Sequence, residues 1–200
     1  MTVTVVSITV ISSTTCDSLK VFNLFFITKF NNMKLKLREL TLVALISSLY
    51  AIGTIIIAPI SYGIVQVRLT DSLILLSYLP DFGFCAVLGV TLGNIIANFF
   101  SPYGLPDVIL GTLANLFSSL SVMYVSKLKI NHGIMIAAFI ASLEIAIIVG
   151  IGLLYFIYSV ASIELAFFSV LAGELISIMV VGIIIIKTVS KLGKVNKIKK

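Results

Sequence analysis

Apolar residues fall in six runs, at about 40 to 60, 64 to 79, 84 to 100, 108 to 126, 133 to 158 and 163 to 186. Between them stand PISYG, PDFG, SPYGLPD, KLKINHG and SVASIE, where proline, glycine and charge turn the chain. The runs do not alternate at every second residue, and most approach the roughly 18 to 20 residues that cross a hydrocarbon core about 30 Å thick. In lipid, such runs satisfy their backbone hydrogen bonds only as helices. The pattern therefore predicts an all-α integral membrane protein, a bundle of six transmembrane helices with every span α-helical. The second run is the shortest.

Composition agrees, because 60% of the 200 residues are hydrophobic, 11% are charged and the mean hydropathy is +1.20, values outside the soluble range. No polar stretch is long enough for a separate soluble domain. The net charge of +6 raises the question of nucleic acid, but the cations form no patch interleaved with aromatics. They stand at the ends of the runs: Lys34, Lys36 and Arg38; Lys127 and Lys129; then Lys187, Lys191, Lys194, Lys197, Lys199 and Lys200. Lysines in that position mark cytoplasmic flanks, and six crossings keep all three groups, with both chain ends, on the cytoplasmic side. Five crossings would leave two of the groups outside. Residues 1–32 have neither the basic start of a signal peptide nor a clean span, and are expected to be a misassigned or disordered leader, or a short interfacial segment. Residues 33–200, opening on MKLKLREL, are the membrane domain. Cys16 and Cys85 suggest no disulfide framework or CxxC site.

Ionisable side chains inside the spans call for a reason, since each costs about 2.5 to 3.5 kcal/mol at the bilayer centre on insertion scales. Glu144 lies mid-way along the fifth run and Glu174 near the middle of the sixth, while Asp71 and Asp107 lie near the outer ends of the second and fourth. A structural hydrogen bond between helices and a ligand contact both explain such an acid. Arg68 and Asp71, three apart, would share a helix face, which allows an ion pair, and Arg68 is expected to be anchored by Asp71 or by Asp107. With Gln66, Arg68 and Asp71 lie in GIVQVR and its continuation, on the side opposite the lysines, which fits an outer gate as well as a purely structural pair. Asn94 and Asn98, four apart, run beside the small-residue stripe Gly89, Gly93 and Ala97. SPYGLPD reads as a rigid turn into a helix start, where Asp107 suits the helix dipole. Tyr103, Tyr155 and Tyr158 fit interfacial anchors, and Tyr155 shares a helix face with Glu144, eleven residues earlier, as a ring above a carboxylate. In ALISSLYA, Ala44 and Ser48, with Ser47 and Ala51, leave a nearly flat helix face for internal packing or for a partner. His132, the single histidine, lies in a basic turn and reads as solvated. There is no HExxH, GxSxG or Walker A loop, so the chain reads as no enzyme and as unable to hydrolyse ATP by itself.

APISYGIVQVRLTDSL, GNIIANFFSPYGLPDVILGTLANL and the small-residue first helix resemble the QueT family, the S components that bind substrate for energy-coupling-factor (ECF) vitamin transporters. The resemblance covers most of the chain from Met33 and implies uptake of a queuosine precursor, a 7-deazaguanine such as the 7-cyano or 7-aminomethyl base, or queuine. It implies as partners a transmembrane coupling subunit and two ATPases that use ATP and Mg, with no cofactor on this chain, in the cell membrane. It also implies that the first helix meets the coupling subunit at Ala44 and Ser48, where family members commonly carry alanine at both positions and Ser48 here replaces one with another small residue. The chemistry is compatible: a carboxylate accepts the N–H and amino groups on one edge of the base, an asparagine amide meets its carbonyl, and its flat face suits an aromatic ring. Glu144 is the first carboxylate candidate, then Glu174 and Asp107; Asn94, Asn98 and Asn115 are the amide candidates, with Tyr103 and Tyr155 as rings. The alternatives are an S component for riboflavin or thiamine, a stand-alone ion-coupled carrier or channel using Glu144 and Glu174, and a structural scaffold.

Overall fold

The computed structural model of the chain describes residues 36–62, 67–159 and 162–198. The expectations for residues 1–32 and for Gln66 fall outside them. Among the described residues the structure is helical throughout: α1 (Leu37–Ile56), one turn of α2 (Ala58–Ser61), α3 (Leu69–Tyr78), α4 (Gly83–Asn98), α5 (Gly104–Lys127), α6 and α7. α6 begins as Gly133–Ile145 and continues with wider, π-type turns through Ala146–Ile157. α7 runs as Ile163–Glu174, widens over Leu175–Gly182, and resumes as Ile183–Ile198. Four of these are long and apolar enough to cross a bilayer: Leu37–Ile56, Gly104–Lys127, Gly133–Ile157 and Ile163–Lys191.

The second and third apolar runs give shorter helices, and the second is not an α-helix. α3 is a ten-residue 3₁₀ helix, about 20 Å long at the 2.0 Å rise of that form. Its serines suit the tighter winding, because Ser72 Oγ donates to Leu69 O and Ser77 Oγ to Ile74 O, each three residues back and at 2.5 Å. The expectation that every span is α-helical is thus corrected at α3 and at the widened parts of α6 and α7. Apolarity specifies a helix in lipid, but which backbone partner each N–H takes is settled by local packing.

The bundle carries large apolar side chains on its exterior as well as in its core, and it buries polar ones. Leu45, Leu49, Ile52, Phe100, Leu105 and Phe168 point outward, while Tyr50, Arg68, Asp71, Asn94, Asn98, Asp107, Asn115 and Glu174 are buried. An apolar solvent outside accounts for both halves of that distribution. α1 packs against α4, α4 against α5, and α3 lies between them and α7. The α1–α4 approach requires Gly93, where a Cβ would stand 2.7 Å from both Ser47 O and Tyr50 Cβ. Gly89, Gly93 and Ala97 are therefore a packing seam, and the seam carries the adjoining Asn94 and Asn98 inward.

Candidate ligand site: a buried polar network

α1, α3, α4, α5 and α7 bring their polar residues to one place. On α5, Asp107, Gly111 and Asn115 are four apart and share a face. Gly111 makes room there, since a Cβ at that position would stand 2.4 Å from Asn98 Nδ2 and 3.1 Å from Asp107 Oδ1. Asp107 accepts Arg68 Nη2 at 3.1 and 3.2 Å and Ser101 Oγ at 2.5 Å. This ion pair is sealed from solvent, with Arg68 2% and Asp107 0% exposed. Tyr62 lays its ring 5.4 Å from the guanidinium and donates from its hydroxyl to Ala97 O at 2.9 Å.

Asn98 links this half to the next, donating to Asp107 O at 3.0 Å and to Asn94 Oδ1 at 2.8 Å. Asn94 and Asn115 both donate to Tyr50 OH, at 2.9 and 2.7 Å, and Tyr50 donates to Asp71 Oδ1. Asn115 also reaches Asp71 Oδ1 at 3.1 Å. The Tyr50 hydroxyl thus uses its one proton and both lone pairs, the full capacity of a phenol. Glu174 of α7 comes within hydrogen-bonding reach of Asp71. Nearby, Thr54 and Thr70 pair through their hydroxyls at 2.6 Å, and Ser177 Oγ donates to Arg68 O at 2.6 Å. Three buried atoms of the network keep no hydrogen-bond partner: Asp71 Oδ2, Glu174 Oε2 and Arg68 Nε.

At the α4–α5 end, tyrosines cover the network. Tyr103 and Tyr158 hold their rings 5.2 Å apart, Tyr158 OH donates to Tyr103 O, and Tyr103 OH reaches Tyr62 O at 3.5 Å.

The network collects Asn94, Asn98, Asp107, Asn115, Glu174, Arg68 and Asp71 from the residues singled out in the sequence. Of the two anchors expected for Arg68, Asp71 and Asp107, the structure has Asp107. Arg68 precedes α3 with a non-helical backbone (φ −90°, ψ 85°), so three-residue spacing does not stack the two side chains, and Arg68 bonds Asp107. Glu144 stands apart and half-buried, accepting Ser121 Oγ at 2.7 Å between α5 and α6. Tyr155 packs edge-on against Phe156 at 5.0 Å. In α1 the small residues divide: Ser47 and Ala51 are buried, whereas Ala44 and Ser48 face outward, with Ser48 Oγ turned back to Leu45 O at 3.0 Å. Sequence reasoning missed Tyr50, Thr54, Tyr62, Thr70, Ser101 and Ser177. The four-residue spacing of Tyr50 and Thr54 was visible, but their hydroxyls gained meaning only opposite Asp71 and Thr70. Among the described residues no group of three or more histidine, cysteine, aspartate or glutamate side chains is placed to hold a metal.

The family model described as QueT transporter matches residues 40–191, which include every residue of this network. The chain belongs to the QueT transporter family. As a QueT-family chain with four helices long and apolar enough to span, it is a multi-pass membrane protein. It is similar to the queuosine precursor transporter QueT of Lactococcus lactis subsp. cremoris (strain MG1363), with 32% identity over 102 residues. That alignment covers 50% of this chain and 58% of the relative, so the chain spans less than two thirds of the relative's length. No solved structure matches the chain.

Proposed function

We propose that the chain is the substrate-binding S component of an ECF-type importer, and that it takes up a queuosine precursor, a 7-deazaguanine or queuine. The single observation that carries this reading is the dry network of asparagines, acids and Arg68 inside a helix bundle whose exterior is apolar. A purely structural role would favour closed pairs of opposite charge, yet Asp71 and Glu174 meet acid to acid and Arg68 Nε is left without a partner, at a place where each such group is costly. A deazaguanine offers N–H donors and a carbonyl along one edge, which amides and carboxylates meet in pairs. The name of the Lactococcus relative supports the same ligand class.

In this reading six crossings put both chain ends in the cytoplasm and the tyrosine cover outside, with Arg68 towards the outer entrance. Uptake parts Tyr62, Tyr103 and Tyr158 and admits the base to Asn94, Asn98, Asn115 and Glu174. The chain then holds the base while a coupling subunit and two ATPases, using ATP and Mg, drive the inward step. The outward-facing Ala44 and Ser48 are the place for that coupling subunit, because small side chains let a neighbouring helix come close.

Native mass spectrometry of the chain purified from its own membranes tests both halves, the bound molecule and the associated subunits. A deazaguanine with coupling and ATPase subunits is the expected result; a flavin or thiamine would keep the S-component role and overturn the substrate. The buried Asp71 and Glu174 pair favours one rival, a proton-coupled carrier. Uptake by vesicles containing this chain alone would establish that rival in place of the importer.

A further inference from the structure

We propose that a cavity at the lysine-bearing end of the bundle, between the end of α3, the start of α6 and the part of α7 around Ile183 and Lys187, is a binding site for an acidic phospholipid. The inference does not depend on what the buried network binds.

The cavity has a volume of about 320 Å³, at the lower end of the roughly 300 to 1,000 Å³ of small-molecule sites. Its walls are of two kinds. Ile130, Met135 and Ile183 are apolar, and Ile130 and Met135 are exposed. Phe139, four residues past Met135 on α6 and also exposed, continues that surface along the helix. Tyr78, His132 and Lys187 bring a hydroxyl, an imidazole and an ammonium. Gly133 lets Tyr78 come against the start of α6, because a Cβ there would stand 2.6 Å from Tyr78 OH. Among the described residues, none of these three side chains has a hydrogen-bond or ion-pair partner for its polar end, and no acid lines the cavity.

Such walls fit one molecule with an anionic group and an apolar body. A soluble phosphate would leave the isoleucines and Met135 uncovered, and an apolar chain alone would leave three polar groups unmet. An acidic phospholipid has both parts at the level where a helix leaves the bilayer. Its phosphate accepts from Lys187, the imidazole and the phenol, while an acyl chain follows Met135 and Phe139. Lys127, at the end of α5, Lys129 in the next turn and Lys191 on α7 stand at the same end and concentrate acidic lipids around the cavity. Basic pockets between membrane helices hold acidic headgroups in this way.

The test is native mass spectrometry of the purified full chain in detergent, first as extracted and then, after delipidation, titrated with phosphatidylglycerol and with phosphatidylcholine of the same acyl chains. The expected result is retained acidic phospholipid and at least about fivefold tighter binding of phosphatidylglycerol, the ratio that one cation beside a lipid phosphate gives. In detergent there is no charged surface, so only a cation in contact counts. Lys187→Gln, an exposed position that the fold does not need, is expected to weaken phosphatidylglycerol about fivefold and leave phosphatidylcholine within about twofold. Lys191→Gln, one turn on and outside the cavity, is expected to leave both lipids within about twofold. Equal binding of the two lipids by the wild-type chain overturns the inference, and so does a loss in Lys191→Gln as large as that in Lys187→Gln. Glycerol phosphate binding as tightly as phosphatidylglycerol would assign the cavity to a soluble anion, and a protein adduct lost only in Lys187→Gln would assign it to a partner chain; either result overturns the lipid.

Discussion

The Arg68–Asp107 pair offers the sharpest check on the network, because both partners are buried and their hydrogen bonds are specified. Asp107→Asn keeps an acceptor for Ser101 but leaves a guanidinium in the bundle with no carboxylate of its own, and its Nε has no partner already. Arg68→Met removes the cation at similar length and leaves Asp107 held by Ser101 and by the first turn of α5. Breaking a buried pair from one side costs about 3 to 5 kcal/mol, chiefly as the penalty of the stranded charge. Two independent losses would sum to about 6 to 10 kcal/mol, comparable to the whole stability of an ordinary domain. The double substitution strands no charge, so it should cost only about 1 to 3 kcal/mol and be more stable than either single change. The sequence has no tryptophan, so the readout is the monodisperse fraction of tagged protein on size exclusion after graded heating. Additive losses, or a double variant less stable than both singles, would show that the pair is not the buried unit described.

Gly111→Ala should destabilise by about 1 to 3 kcal/mol, since the new methyl displaces Asn98 and outweighs the helix propensity gained, whereas Gly152→Ala, with its nearest neighbour at 3.8 Å, should be neutral in the same heating assay. Tyr50→Phe leaves two amides and Asp71 short of a partner and should cost about 2 to 4 kcal/mol, measured as a lower melting temperature in detergent. Glu144→Gln should leave deazaguanine affinity unchanged within about twofold, because Ser121 and not the network holds that side chain; a tenfold loss in a binding titration would return Glu144 to the site. On the proposed importer reading, Ser48→Leu should reduce co-purification of a coupling subunit without lowering thermal stability, while Ser47→Leu, on the buried side of α1, should cost about 1 to 3 kcal/mol of stability.

Glu144 and Glu174 show how far a linear reading of intramembrane acids goes. Both are single carboxyl groups near the middle of an apolar run, and nothing local ranks one above the other. α7 turns Glu174 toward Asp71, while α6 leaves Glu144 beside Ser121 at the flank of α5. Asn94 and Asn98 were legible because four-residue spacing beside a glycine stripe places them on the close-packed side of a helix. Asn115 belonged to a similar stripe with Asp107 and Gly111, but its meaning depends on Asn98 occupying the space Gly111 leaves. Tyr50 was hidden by its surroundings, where small residues drew attention to the flatness of α1 and not to the hydroxyl it turns inward.

Sequence alone determined that this chain lives in lipid, that its apolar runs are helices and that few of its polar residues are free to face outward, because those outcomes follow from the transfer cost of each segment taken separately. Tertiary structure alone decided that Arg68 bonds Asp107 and not Asp71, that Tyr50 anchors Asp71 across a sequence separation of 21, and that the second run winds as a 3₁₀ helix. Hydrogen bonds between helices depend on which faces meet and how closely glycine lets them approach, and neither quantity is local to any one run.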